Sequence, residues 1–255
     1  MYQQTTAIIA LAELYAISGD RNLRLPVEDA CIWLVQAQNP DFGGWRYEYQ
    51  EGVSDTSVTG FALFALETAR LAGIRVIVDE AYPLAGIWLE RITAEVNGNW
   101  KTGYDSPGSN NARLRNSQEF DHNPCMDGAH GMARLMFGES IDDDDMLKSF
   151  RDVILKQDYL PCWKKDRIDT QYWWWASLFL RQLGEETWRD WREALEKALL
   201  DHQRGFRKED IKAGRTNRSK MDEYGSWDPV GAWGGAGGRV YSTAMGVILL
   251  AMGWR

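Results

Sequence analysis

The sequence predicts an all-α protein assembled from stacked helix pairs. Three observations predict it. Successive stretches rich in Ala, Leu, Ile and Glu carry helix start and stop signals at their ends. No segment shows sustained period-two alternation, so strands are not expected. A Gly-x-Trp turn recurs along the chain, and its surroundings recur with it.

The elements follow in order. Thr5 to Ile17 is built of helix formers and stops at Gly19-Asp20. Pro26, with Val27-Glu28-Asp29 behind it, opens a helix to about Gln38. Asn39 to Gly44 is turn-forming. Ser54 or Asp55 caps a helix through Leu71 that ends at Gly73. The next helix runs from about Asp79 to Ala94. Asn97 to Pro124 is polar and reads as loop. Helices then cover Met126 to Phe137, ended by Gly138, and Asp144 to Lys156. Asp169 caps a helix to Leu183, ended by Gly184, and Glu186 to Gln203 is strongly amphipathic. Arg204 to Gly238 reads as a second long loop, basic and then Gly-rich, before a last helix from Val240 to Met252. The expectation is nine helices and two long loops, and loops of that length are usually either functional or evidence against the assignment.

Composition narrows the function classes. With 255 residues, 44 % of them hydrophobic, the chain buries a core and is not disordered. The net charge of −8 argues against nucleic acid, whose phosphates need concentrated Lys and Arg. No apolar run suggests a membrane span. Met1 to Leu14 contains Gln3, Gln4 and Glu13 and no basic stretch, so it is no signal peptide. Cys31, Cys125 and Cys162 are too few and too odd in number for a disulfide framework. The expectation is a soluble chain, cytoplasmic as written and exported if an N-terminal region precedes it.

The repeat is the strongest signal. Gly43-Gly44-Trp45 returns as Gly98-Asn99-Trp100 and Gly225-Ser226-Trp227, with Pro161-Cys162-Trp163 as a degenerate copy. The four tryptophans are spaced by 55, 63 and 64 residues. Gln38, Gln157 and Gln203 end the helices before three of the copies. The helices after the turns begin alike: Asp55-Thr56-Ser57-Val58-Thr59-Gly60, Asp169-Thr170-Gln171 and Tyr241-Ser242-Thr243-Ala244. Glycine permits the tight turn, and the indole wedges between helix pairs with its N–H left for a carbonyl or a Gln oxygen. The Gln side chain is expected to meet unpaired N–H groups at a neighbouring helix start. A single helix pair cannot bury its apolar face, so the pairs must stack.

This Gln…Gly-x-Trp unit resembles the QW repeat of the terpene cyclases, the squalene–hopene and oxidosqualene cyclases, which belongs to the prenyltransferase/squalene oxidase repeat group. Gly43-Gly44-Trp45-Arg46-Tyr47 with Asp55 to Gly60, and Gly225-Ser226-Trp227-Asp228-Pro229 with Gly237 to Ala244, look closer still to an uncharacterised bacterial branch. The resemblance implies an α/α toroid over residues 1–255, with an inner ring of post-Trp helices, an outer ring of Gln-ended helices and a central cavity. Four units and one leading helix fall short of a full toroid of that family. The chain is therefore expected to be the C-terminal part of a longer protein, the alternative being a short or open ring.

The family's chemistry carries over poorly. Asp142-Asp143-Asp144-Asp145 satisfies the Asp-x-Asp-Asp acid pattern of the cyclases. It sits at the start of an expected outer helix, where capping is the simpler reading. The prenyltransferase zinc set needs a Cys two residues after an Asp, and here Asp55 is followed by Ser57 and Asp169 by Gln171. His122, Cys125 and His130 offer zinc-type side chains at a spacing that matches no common zinc pattern. No thioester motif follows any cysteine. No metal or cofactor is therefore expected.

The resemblance leaves a cavity. Asp55 and Asp169 are its catalytic candidates. Thr56, Thr59, Gln171 and Tyr172 share their helix starts, and Trp173 and Trp174 offer aromatic faces that suit a polyisoprenoid or a carbocation. Core packing is the simpler reading of those rings, with Trp175. Arg239 would meet a diphosphate or carboxylate, or pair with Asp55 or Asp169. The expected function is binding of an extended hydrophobic, isoprenoid-type molecule. The alternative is a non-catalytic scaffold that holds a protein or glycan on its two long loops.

Overall fold

In the computed structural model the described residues are 1–75, 81–109, 123–164, 166–205, 209–210 and 223–254. They are mostly helical: nine α-helices, one two-stranded hairpin and two short 3-10 helices. α1 (Tyr2–Ser18) ends at Gly19. A 3-10 turn (Arg21–Leu23), whose first bond is capped by Asp20, leads into α2 (Arg24–Gln36). α2 begins before Pro26, because a proline in the first turn has no intrahelical N–H bond to lose. α3 (Thr56–Leu71) starts at its expected cap, Asp55, whose side chain accepts from the Val58 N–H. α4 (Ala81–Ile92) follows, and its expected start at Asp79 lies outside the described residues. α5 (Cys125–Met136), α6 (Asp145–Ile154), α7 (Thr170–Gln182) and α8 (Glu185–Leu200) stand where the sequence predicts helices.

Three expectations are corrected. Thr93 and Ala94 are not helical, and Asn97 onward is not all loop. β1 (Thr93–Val96) and β2 (Asn99–Thr102) form an antiparallel hairpin, with Val96 opposite Asn99. Its turn is Asn97-Gly98, both at positive φ (53° and 75°), the dipeptide that best suits a two-residue hairpin. The Gly-rich stretch before Val240 is also helical: α9 (Gly234–Ala251) runs through it with a kink at Gly238.

The chain divides into two compact units. The first holds Met1–Ser109 and Ala129–Leu147, the second Asn110–Gly128 and Lys148–Arg255. In the first, α1 packs on α2 and α3 around Ile8, Ala12, Val27, Leu34, Trp45, Leu63 and Leu66. Each of the larger aliphatics stabilises by roughly 1.5–3 kcal/mol on burial. α3 is buried around most of its circumference, whereas α2 buries only Val27, Cys31 and Leu34. In the second unit α7 is buried from Thr170 to Leu180 with few gaps, and α8 covers it with Trp188, Trp191, Leu195 and Leu199. Tyr172 meets Trp191 edge-on at 5.6 Å, and the Trp191 indole N–H donates to Ser177 Oγ at 2.9 Å.

The repeated turn recurs in hydrogen-bond detail in each unit. Trp45 is fully buried and donates its indole N–H to Leu34 O at 2.8 Å. Trp227 is buried too and donates to Leu199 O at 2.8 Å. The Trp45 backbone N–H goes to Thr59 Oγ1 at 3.0 Å, and that of Trp227 to Thr243 Oγ1 at 3.3 Å. Gln38 Nε2 donates to Gly43 O and to Ala81 O, and Gln203 Nε2 to Gly225 O. The glutamine is thus a donor to carbonyls, not the expected acceptor for helix N–H groups. Trp100 departs from the pattern: it lies on β2, 37 % exposed, rather than wedged between helices. Trp163 is partly exposed and stacks on His202 at 5.0 Å.

Gly43 shows how tight the turn is. Its φ is 81°, and a Cβ there would stand 2.1 Å from Leu84 O. Gly43→Ala is expected to destabilise the first unit by about 2–4 kcal/mol, from left-handed strain plus overpacking against backbone. Urea unfolding of the variant measures it.

Candidate functional site

Asp55 is the carboxyl at the start of α3 in the first unit. It is wholly buried. The fold puts it there because a residue that caps α3 must also pair with the turn: its backbone N–H donates to Trp45 O at 3.0 Å. Oδ1 accepts from the Val58 N–H at 2.8 Å. Oδ2 is buried without a hydrogen-bond partner, as is Oγ of the preceding Ser54. Arg46 Nε stands 3.9 Å from Oδ2. Burial pushes the carboxyl up to about 6, against the Val58 N–H, the Tyr104 hydroxyl and the Arg46 charge, which favour the carboxylate.

A tyrosine cluster adjoins this carboxyl through Tyr104. The Tyr104 hydroxyl lies 2.8 Å from that of Tyr47. Tyr104 is pinned by its carbonyl, which accepts from the Thr56 N–H at 2.9 Å. Burial and the nearby Asp55 charge both push its phenol far above the usual range. The Tyr2 hydroxyl donates to Ser57 Oγ at 2.9 Å. The Arg46 guanidinium covers the Tyr47 ring at 5.5 Å, a cation–π contact. Sequence reasoning missed Arg46, Tyr47 and Tyr104 as site residues. Arg46-Tyr47 sits inside the recurring turn motif, which is the signal that could have found it. Tyr104 follows a hairpin that stood outside the expected elements.

The other candidates are engaged in the fold. Asp169 is wholly buried, with Oδ1 capping the Gln171 and Tyr172 N–H groups and Oδ2 accepting from Asn123 at 2.8 Å. Every oxygen that Asp55 leaves open, Asp169 fills. Thr56 Oγ1 donates to Gly103 O at 2.6 Å, and Thr59 Oγ1 is taken by Trp45. Tyr172, Trp173, Trp174 and Trp175 are buried in the second unit, and the Tyr172 hydroxyl donates to Tyr159 O. Gln171 contributes its backbone N–H to the Asp169 cap. The cavity lined by Trp163, Trp227 and Tyr241 holds about 10 Å³, room for one water at most.

Arg239 corrects an expectation. Within the second unit it pairs not with Asp169 but with Asp228 Oδ1 at 2.8 Å and Ser226 Oγ at 2.9 Å. Arg204 shares the same Asp228 oxygen at 2.9 Å. Burial alone would raise Asp228; the two guanidinium groups outweigh it and hold it below the usual carboxylate range.

The described zinc-type residues, Cys125 and His130, do not converge. His122 lies outside the described residues. Cys125 and His130 are five positions apart on α5, which turns them to different faces. His130 Nδ1 is within 2.9 Å of Thr102 Oγ1 and 3.1 Å of Thr93 Oγ1, so the ring ties α5 to the hairpin. Burial and the Arg134 charge lower its pKa to about 3, and it stays neutral. Among the described residues no group of three His, Cys, Asp or Glu could hold a metal ion.

The Asp run resolves as a cap. Asp144 Oδ1 accepts from the Met146 and Leu147 N–H groups, and Oδ2 from Arg134 Nε at 2.7 Å. Arg134 also pairs with Glu90 and Glu139. Burial lifts Glu139 to about 7, while its proton, the Leu147 N–H and Arg134 hold Asp144 near 2 against burial. Trp100 and this cluster line an open depression of about 590 Å³.

The chain matches no family model and no curated protein. Among the described residues no helix is long and apolar enough to cross a membrane.

Proposed function

We propose that this chain is a terpene cyclase-like α/α-toroid protein that binds an extended hydrophobic, isoprenoid-type molecule, with Asp55 as the acidic group of the site. The observation that carries this reading is the Asp55 carboxyl: wholly buried, held up to about 6, with Oδ2 uncommitted. A buried carboxyl that holds its proton up to about pH 6 can donate it to an alkene or hydroxyl. The toroid is supported by the turn unit, which repeats its Gln, Trp and Thr bonds around Trp45 and Trp227. Incubation with squalene and with prenyl diphosphates, followed by fluorescence titration and product analysis, tests it. Saturable quenching of tryptophan emission is expected. Any turnover should fall about 10²–10⁴-fold in Asp55→Asn, which keeps the cap and removes the proton. No binding and no product would end the reading.

One observation favours the scaffold alternative. The aromatic run Tyr172 to Trp175 is spent on packing, while Trp33, Phe42, Tyr47 and Tyr49 of the first unit are exposed. Much of the two long loops assigned to that role, residues 110–122, 206–208 and 211–222, lies outside the described residues. Capture of a protein or glycan that Asp55→Asn leaves intact, and that deletion in those loops removes, would favour the scaffold.

A further inference from the structure

We propose that Arg134, Glu90, Glu139 and Asp144 form a proton-dependent latch. It fastens the turn between α5 and α6 to α4 while Glu139 carries a proton, and it slackens when Glu139 gives the proton up. The latch does not depend on Asp55 being the acid of the site. Three carboxyl groups of the first unit converge on one guanidinium. Glu90 comes from α4, Glu139 from the turn after α5, and Asp144 from the position before α6. Arg134 Nε lies 2.5 Å from Glu139 Oε2 and 2.7 Å from Asp144 Oδ2.

The guanidinium does not have a donor for each of them. Nε carries one hydrogen, and it goes to Asp144 Oδ2. Nη1 serves Glu90 and Met146 Sδ. Glu139 Oε2 is a buried atom and takes no hydrogen bond. As a carboxylate, Glu139 would be the third negative charge around one positive charge, crowded against Asp144 on the same nitrogen. As a carboxylic acid it adds no charge. Carboxyl groups that share a site ionise in turn, and the one with the poorest donors keeps its proton longest. Burial, then the Asp144 and Glu90 charges, accordingly push Glu139 up to about 7, with Arg134 in partial opposition.

The groups that face Glu139 are Arg134 from α5, Glu90 from α4 and Asp144 from the start of α6. Asp143 and Asp145 line the same depression, and β2 brings the uncharged Trp100. His130 lines the adjoining cavity of about 390 Å³ with Glu90, Arg134 and Glu139, and it stays neutral. Asp144 transmits the change. Its Oδ1 caps the Met146 and Leu147 N–H groups at 2.8 and 3.0 Å while Oδ2 holds Arg134. An ionised Glu139 competes for the same Nε–H and pulls on the group that caps α6. These residues wall the depression beside Trp100, so its shape follows the proton.

The test is an NMR titration of the full chain from pH 4 to pH 9, labelled at the backbone nitrogens and the glutamate carboxyls. Glu139 is assigned through Glu139→Gln, and its signal is expected to titrate near 7. The Met146 and Leu147 amide signals should move with the same midpoint. Glutamine mimics the protonated acid and has no proton to lose, so Glu139→Gln should leave both amides flat. Asp144→Asn retains the cap and removes one carboxylate, which should lower the Glu139 midpoint by about one pH unit or more. That arm keeps Glu139 and does not rely on the folding of Glu139→Gln. Glu95→Gln, on the hairpin opposite Trp100, should change neither reading. Urea unfolding supplies a second measure. The folded value lies above the unfolded one, so the contribution is fully present below about pH 4.5 and is lost as pH rises through about 7. Relative to Glu139→Gln, the wild-type folding constant should fall roughly tenfold from pH 4 to pH 8, less than the whole shift would give because the Glu139 side chain is 36 % exposed. A Glu139 midpoint near 4.5, or Met146 and Leu147 signals indifferent to its titration, overturns the proposal.

Discussion

Trp45→Ala is expected to lower the stability of the first unit by about 3–5 kcal/mol, the range for emptying a fully buried large aromatic. The indole is wholly enclosed among the α2 and α3 side chains, so little relaxation can fill the space. The loss also leaves Leu34 O without its donor. Trp45→Phe retains most of the ring and isolates that bond, at about 1–3 kcal/mol. Trp227→Ala should match Trp45→Ala in the second unit, because its burial and its bond to Leu199 O are the same. Trp100→Ala should cost under about 1 kcal/mol, since that ring is 37 % exposed on the hairpin. Urea unfolding of the four variants decides it. A Trp100→Ala cost equal to that of Trp45→Ala would show that the copies are equivalent after all.

Asp55 is expected to make stability fall between about pH 4 and pH 6. Its folded pKa of about 6 lies above the unfolded value near 3.9, so the folded chain holds the proton across that window. The contribution is fully present below the unfolded value and is lost as pH rises through the folded one. The gap between the folded and unfolded values corresponds to about 3 kcal/mol. Asp55→Asn removes the titration and retains the cap, so wild type minus variant should drop by about that amount from pH 4 to pH 7. Arg46 and Glu51 are present in both proteins and cancel. Urea midpoints taken across that range measure it, and a difference that stays flat with pH would mean that Asp55 ionises normally.

The local code was largely legible. Helix starts at Asp55 and Asp169 and the Asp144 cap follow from the propensity of a short acidic side chain to take the first free N–H groups. The Gly-x-Trp turn was legible at Trp45 and Trp227, because there the glutamine, the glycine and the following threonine all recur together. At Trp100 only the dipeptide pattern recurs, and the Asn97-Gly98 turn signal beside it selects a hairpin instead. That signal was in the sequence and outweighs the repeat, since two positive φ angles close a strand pair and leave the indole on its surface. Helix α9 was harder to read, as glycines at Gly234, Gly235 and Gly237 argue against a helix on propensity alone.

By itself, the sequence determined the helical class, most helix boundaries and the two true turn units, because capping and turn formation depend on residues within one or two turns of each other. Tertiary structure decided which of two like-looking aspartates is chemically open. Asp55 and Asp169 both cap a helix after the same kind of turn. Asn123 reaches Asp169 from a distant stretch of chain and fills its second oxygen, while Asp55 meets Tyr104 and Arg46 and keeps Oδ2 without a hydrogen bond. The pKa of a carboxyl is set by burial and by whatever long-range neighbours arrive, and those are properties of the packed chain.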